Sequence, residues 1–168
     1  IGFPNGYSTT ETKCFETANA VKNGAVAVLT MKRDTKVSPN IVLIYVPDTI
    51  HALYQLGKAN RHRYNIPVIA VTGSSGKTTT KDIIASVLSE RYHVLKTDGN
   101  QNNPIGVPLT LLSINGSHDV AVVEMGISDF SEMSRLSKIV KPDIVVMTNI
   151  GPCHLENLNG IYLFHFLL

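Results

Sequence analysis

Val68-Ile69-Ala70-Val71-Thr72-Gly73-Ser74-Ser75-Gly76-Lys77-Thr78-Thr79-Thr80 decides the fold. An apolar, β-branched run leads into a glycine- and serine-rich turn, and the turn leads into a segment with helical periodicity over Lys77 to Arg91. A phosphate needs many donors in a small space. Successive backbone amides in such a turn, feeding a helix N-terminus with its partial positive charge, supply them. Gly73 and Gly76 permit the turn, Lys77 reaches the β and γ phosphates as a point charge, and the Thr78 hydroxyl is placed to ligate Mg²⁺. The full phosphate-loop signature has a further glycine five positions before Gly76, where this chain has Val71, so only the shorter Gly-x-x-Gly-Lys-Thr form is present. The competing reading is a Ser/Gly turn that merely precedes a lysine; the strand before it and the helix after it weigh against that.

Outward from the loop, strands and helices alternate. A short strand is expected at Val94-Leu95, a helix from Pro104 to Leu112, a buried strand at Val120 to Val123, an amphipathic helix from Phe130 to Val140 and a further buried strand at Ile144 to Met147. That alternation predicts an α/β fold with a parallel, doubly wound sheet. Ligands of such sheets sit at the carboxyl ends of the strands, where the loop, Glu124 and the Asn149 to His154 segment all fall. Towards the N-terminus, a helix around Phe15 to Lys22 precedes two apolar runs, Ala25 to Leu29 and Ile41 to Val46. Pro47-Asp48-Thr49 then caps a second helix through Ala52, Leu53, Leu56 and Ala59. Asn65-Ile66-Pro67 interrupts that helix, because proline disfavours helical geometry in the residue before it, and a domain boundary is expected there.

Composition narrows the class. The 168 residues are 43% hydrophobic and 17% charged, values of an ordinary globular protein rather than a disordered one. Fifteen basic against thirteen acidic residues, with no long run of like charge, give no electrostatic footprint for nucleic acid. No apolar run is long enough to span a bilayer. Cys14 and Cys153 have neither disulfide-framework nor zinc spacing, so a reducing cytoplasm is the expected compartment.

The loop with its Thr78-Thr79-Thr80 continuation resembles the ATP-binding loop of the Mur ligases and their folylpolyglutamate synthetase relatives. Three further segments carry the resemblance in order and spacing: Thr97-Asp98-Gly99-Asn100-Gln101-Asn102-Asn103-Pro104-Ile105-Gly106-Val107-Pro108, then Val123-Glu124-Met125-Gly126-Ile127, then Thr148-Asn149-Ile150-Gly151-Pro152-Cys153-His154-Leu155-Glu156. Glu124-Met125-Gly126 points to the branch that adds D-alanyl-D-alanine to UDP-N-acetylmuramoyl-tripeptide during peptidoglycan synthesis.

The resemblance implies an ATP-dependent amide ligase that works through an acyl phosphate. Residues 1–66 would be part of an N-terminal domain holding the uridine nucleotide, and residues 67–160 part of a central ATP-binding domain. It makes Gly73, Ser74, Ser75, Gly76, Lys77, Thr78 and Thr79 the ATP phosphate site, with Lys77, Glu124 and His154 in catalysis. Thr78, Glu124 and His154 would be ligands or close neighbours of Mg²⁺, and Asn102 and Asn103 contacts of the peptide substrate. Asparagines ahead of a proline-started helix also read simply as a turn. Residues 161–168 form an apolar stretch that departs from the family, and no third domain for the incoming amino component comes after it; the expectation is a catalytically incomplete fragment. Two other readings stay open: a different phosphate-loop ATPase, with Val120 to Glu124 as its acidic strand ending, and a noncatalytic nucleotide-binding or interaction module.

Overall fold

The computed structural model describes residues 10–25, 27–31, 39–126 and 130–150. The expectations placed on His154 and on the 161–168 stretch lie outside these residues. The chain divides into two compact units, residues 1–52 and 53–168.

In the first unit, α1 (Thr10–Lys22) is followed by Gly24 and by β1 (Ala27–Thr30), which pairs in parallel with β2 (Val42–Tyr45). Asp48 then starts α2 (Thr49–Arg63), its Oδ1 accepting from the amides of Ile50 at 2.8 Å and His51 at 3.0 Å. Those are two of the amide groups that a helix start leaves without an internal partner.

The division at residue 52 falls inside α2, not at the Asn65-Ile66-Pro67 break where the sequence expectation set the domain boundary. The helix does end at Arg63, but its later part is bonded to backbone far along the chain. Asn60 Nδ2 donates to the carbonyls of Leu111 and Ile114, both at 2.9 Å. Arg61, 8% exposed, donates to the carbonyls of Val140 at 3.1 Å and Lys141 at 3.3 Å and to Asp143 at 3.2 Å. A helix break marks where local geometry changes, whereas a compact unit is set by which side chains pack together.

The second unit is a four-stranded parallel sheet in the order β4-β5-β3-β6: β3 (Val68–Thr72), β4 (Val94–Lys96), β5 (Val120–Glu124) and β6 (Ile144–Met147). Three helices connect them, α3 (Lys77–Ser89), α4 (Gly106–Leu112) and α5 (Phe130–Val140). Strand alternation sends Val68, Ala70, Ala121 and Val123 to one face, where Val107 and Leu111 of α4 and Leu136 and Val140 of α5 cover them. It sends Val71 and Val122 to the other face, beneath Ala85, Ile84 and Leu88 of α3. Helices on both faces make the sheet doubly wound, and they explain why β3 and β5 read as continuous apolar runs.

Although β3 and β4 flank α3 in sequence, β5 lies between them. β6 is an edge strand. Its run was expected to be buried, yet Ile144 is 54% and Val145 47% exposed, because among the described residues β3 is its single neighbour in the sheet.

Candidate functional site

Parallel pairing aligns the strand ends. Val71 is level with Glu124 of β5 and Val146 of β6, so the turn leaving β3 emerges between Glu124 on one side and Thr148 and Asn149 on the other. The loop, Glu124 and the Asn149 to His154 segment were expected at this edge, and the structure brings the loop, Glu124 and Asn149 together there.

The turn is held from the β6 side. Asn149 Oδ1 accepts from the amides of Ser74 at 3.1 Å and Ser75 at 3.0 Å, while its Nδ2 donates to Ser75 Oγ at 2.7 Å. The Thr148 hydroxyl donates to the Ser75 carbonyl at 2.6 Å. This close approach requires a glycine at position 73. Its φ is +132°, and a Cβ there would collide with Thr148 Oγ1. Gly76 N-caps α3 in the left-handed conformation and no side chain among the described residues caps that helix, so its first-turn amides are left as anion donors. Lys77 lies folded back over the turn, with Nζ donating to the Gly73 carbonyl at 2.8 Å.

Across the turn stands Glu124, the last residue of β5, with 0% exposure. Its Oε1 accepts from Thr78 Oγ1 at 3.2 Å and from Asn102 Nδ2 at 2.8 Å, whereas Oε2 has no hydrogen-bond partner among the described residues. Buried polar groups are ordinarily paired, and the cation near Oε2 is the Lys81 ammonium at 3.8 Å, so the oxygen placed to meet a metal cation is Oε1, held by Thr78 and Asn102 of the cleft. Gly76, Lys77, Thr78, Thr79, Asn100, Asn102 and Glu124 line an open cleft of about 460 Å³. Among the described residues no group of three or more His, Cys, Asp or Glu side chains could form a metal cage. One carboxylate and one hydroxyl beside a phosphate cradle instead fit a hard cation that takes most of its ligands from phosphate and water.

Of the residues singled out in sequence, the loop residues Gly76 to Thr79, Glu124 and Asn102 meet at this cleft. Gly73, Ser74 and Ser75 form the turn behind it. Asn103 does not line the cleft: its Oδ1 accepts from the amides of Ile105 at 3.0 Å and Gly106 at 2.8 Å, which is the turn role open to an asparagine before a proline-started helix.

Sequence reasoning missed Lys81, and it quoted Thr97, Thr148 and Asn149 only as members of motif segments, with no role for any of the three side chains. Lys81 is 2% exposed and donates to the Thr97 carbonyl at 2.9 Å. The Thr97 hydroxyl accepts from the Glu124 amide at 2.9 Å. A signal for Lys81 exists in the sequence. It shares the i, i+3, i+4, i+7 stripe of Ile84, Ala85 and Leu88, the face that α3 turns to the sheet. Thr148 and Asn149 act on a turn some 75 positions away, which no local pattern encodes.

Residues 71–162 match the Mur ligase middle domain. Over 141 residues the chain is 46% identical to the UDP-N-acetylmuramoyl-tripeptide–D-alanyl-D-alanine ligase of Bacillus subtilis (strain 168), a match covering 84% of this chain and 31% of the relative. The same enzyme of Escherichia coli (strain K12) is 33% identical, with 86% of this chain and 31% of the relative covered. Among solved structures, MurF from Acinetobacter baumannii superposes with a TM-score of 0.79 at 38% identity, covering 90% of this chain and 33% of that one. MurF ligase from Thermotoga maritima, in complex with ADP, does so with a TM-score of 0.77 at 32% identity, covering 92% and 35%. The chain thus spans about 31% of the length of the curated relatives.

Proposed function

This chain belongs to the Mur ligase family, and from that premise we propose that its second unit holds the phosphates of ATP, as part of an enzyme that joins D-alanyl-D-alanine to UDP-N-acetylmuramoyl-tripeptide. The observation that carries this reading is the convergence of Lys77, Thr78, Asn102 and Glu124 on one cleft below an uncapped helix start. The similarity to UDP-N-acetylmuramoyl-tripeptide–D-alanyl-D-alanine ligases, and to a ligase structure that contains ADP, supports the substrate assignment.

In the proposed reaction a carboxylate of the tripeptide attacks the γ-phosphorus of ATP, the bond to the ADP oxygen breaks, and an acyl phosphate forms. The amine of D-alanyl-D-alanine then attacks the acyl carbon and inorganic phosphate leaves. The turn amides and the first amides of α3 would hold the phosphates. Lys77 would exchange its bond to the Gly73 carbonyl for the β and γ oxygens, and so balance charge that grows as the phosphoryl group transfers. Thr78 and Glu124 Oε1 would hold Mg²⁺, which supplies charge neutralisation at the phosphates. Asn102 keeps Glu124 Oε1 directed into the cleft, through an amide that also sets where a substrate can lie. His154 is a further proposed contributor to the metal site. On the same reading, residues 1–66 contribute to holding the uridine nucleotide, and the enzyme works in the cytoplasm, where ATP is available.

Thermal-shift measurements of the 168-residue chain with ATP and Mg²⁺, with UDP-N-acetylmuramoyl-tripeptide and with D-alanyl-D-alanine test the assignment. Protection by ATP with Mg²⁺, enlarged by the tripeptide, is the expected result. Protection by ATP that the tripeptide leaves unchanged would favour a different phosphate-loop ATPase, and no protection by ATP would leave only an interaction module.

A further inference from the structure

Lys81 lies where a helix facing a sheet normally carries an aliphatic side chain. Resting on the ATP and Mg²⁺ reading above, we infer that Lys81 is a positioning residue for Glu124: it anchors one carboxylate oxygen from inside the core so that the other stays turned to the metal.

The two oxygens of Glu124 have different surroundings. Oε1 faces the cleft, with Thr78 Oγ1 at 3.2 Å and Asn102 Nδ2 at 2.8 Å. Oε2 is buried and accepts no hydrogen bond among the described residues, and Lys81 Nζ stands 3.8 Å from it as an ion-pair partner. Both side chains are closed off from water, Lys81 at 2% exposure and Glu124 at 0%, so screening of this pair is slight.

Thr97 fixes both members. Its carbonyl takes the Lys81 ammonium at 2.9 Å, and its hydroxyl takes the Glu124 amide at 2.9 Å. Asp82 Oδ1, 3.6 Å from Lys81 Nζ, adds a second carboxylate, but one that is itself exposed and bonded to Lys96 at 2.7 Å. Removing a carboxylate from water without a counter-charge is strongly unfavourable, and a lone buried ammonium is equally so. An aliphatic residue at position 81 would fill the same stripe. The lysine instead balances the carboxylate on its inner side and leaves its outer lone pairs for Thr78 and the cation. Groups that orient a metal ligand in this way affect metal affinity without touching the metal.

The test is a calorimetric titration of ATP, in EDTA and at a series of Mg²⁺ concentrations, into the 168-residue chain and into Lys81→Met. The variant should bind metal-free ATP as the wild type does, yet need about 10- to 100-fold more Mg²⁺ for the half-maximal gain in affinity. An unchanged Mg²⁺ requirement overturns the inference, and so does an equal loss of affinity with and without Mg²⁺, the mark of a merely structural lysine. If the wild type itself gains nothing from Mg²⁺, the underlying metal reading fails first and is seen to fail separately. Lys81→Met strands a buried carboxylate and should melt at a lower temperature. Lys81→Met/Glu124→Gln removes both charges and should melt above Lys81→Met; a double variant that melts no higher contradicts the pairing.

Discussion

Replacing Gly73 with alanine should damage the turn more than any change of side-chain volume implies. At φ +132° the backbone lies where an L residue is strained by about 1–3 kcal/mol. The new Cβ would collide with Thr148 Oγ1 and stand 3.0 Å from both the amide nitrogen and the carbonyl oxygen of Asn149. Moving Thr148 aside breaks its hydroxyl contacts with the Thr72 carbonyl at 3.2 Å and the Ser75 carbonyl at 2.6 Å. At about 1 kcal/mol for each hydrogen bond, the total is about 3–5 kcal/mol. For a chain of this length that corresponds to a melting temperature lower by roughly 5–20 °C. Gly99→Ala is the control: its φ is +46° and no atom lies within 4 Å of the added Cβ, so only a left-handed backbone cost of about 1–2 kcal/mol applies. Thermal unfolding followed by circular dichroism, with and without ATP and Mg²⁺, reads both effects. Gly73→Ala should melt well below Gly99→Ala and gain less from ATP. Equal melting temperatures would refute the close-approach reasoning.

Other perturbations probe different parts of the structure. Asn149→Ala removes the acceptor for the Ser74 and Ser75 amides, and should weaken ATP binding about tenfold in calorimetry while leaving the core strands protected in hydrogen exchange. Arg61→Met leaves the carbonyls of Val140 and Lys141 without their donor and should lower stability to denaturant by about 2–4 kcal/mol, with ATP affinity of the folded molecules unchanged. The Asp82 carboxyl is held below its ordinary range chiefly by the hydrogen bond from Lys96. A lowered folded-state pKa stabilises above the unfolded value and loses that contribution as pH falls through the folded one. The small deficit of Asp82→Asn relative to wild type should therefore be present at pH 6 and vanish in melts taken well below about pH 4.

Much of the second unit was legible in sequence because covered strands have a strong signature. Val68 to Thr72 and Val120 to Glu124 are runs dominated by β-branched residues, and both lie between helices. Ile144 to Met147 carries the same signature and misled: composition reports strand propensity, whereas burial depends on sheet order, and β6 is at the edge. The phosphate turn was readable because each of its residues has a backbone or charge role that spacing alone conveys. The supporting residues were harder. Lysines on helices are usually solvated, so Lys81 drew no notice even though its stripe was visible. Thr97 acts on Lys81 of α3 and Glu124 of β5, and Asn149 on the turn that leaves β3; only the parallel register brings each beside partners so far away in sequence. Asn103 illustrates the converse, a residue whose local turn chemistry accounts for its observed bonds.

Whether Lys77 and its loop hold ATP is tested most directly by calorimetric titration of ATP with Mg²⁺ into the 168-residue chain and into Lys77→Ala. The expected result is saturable binding at a single site in the wild type, weakened about 10- to 150-fold in the variant by loss of a charge-assisted contact with phosphate. No saturable binding to the wild type, or equal affinity in a folded Lys77→Ala, would contradict it.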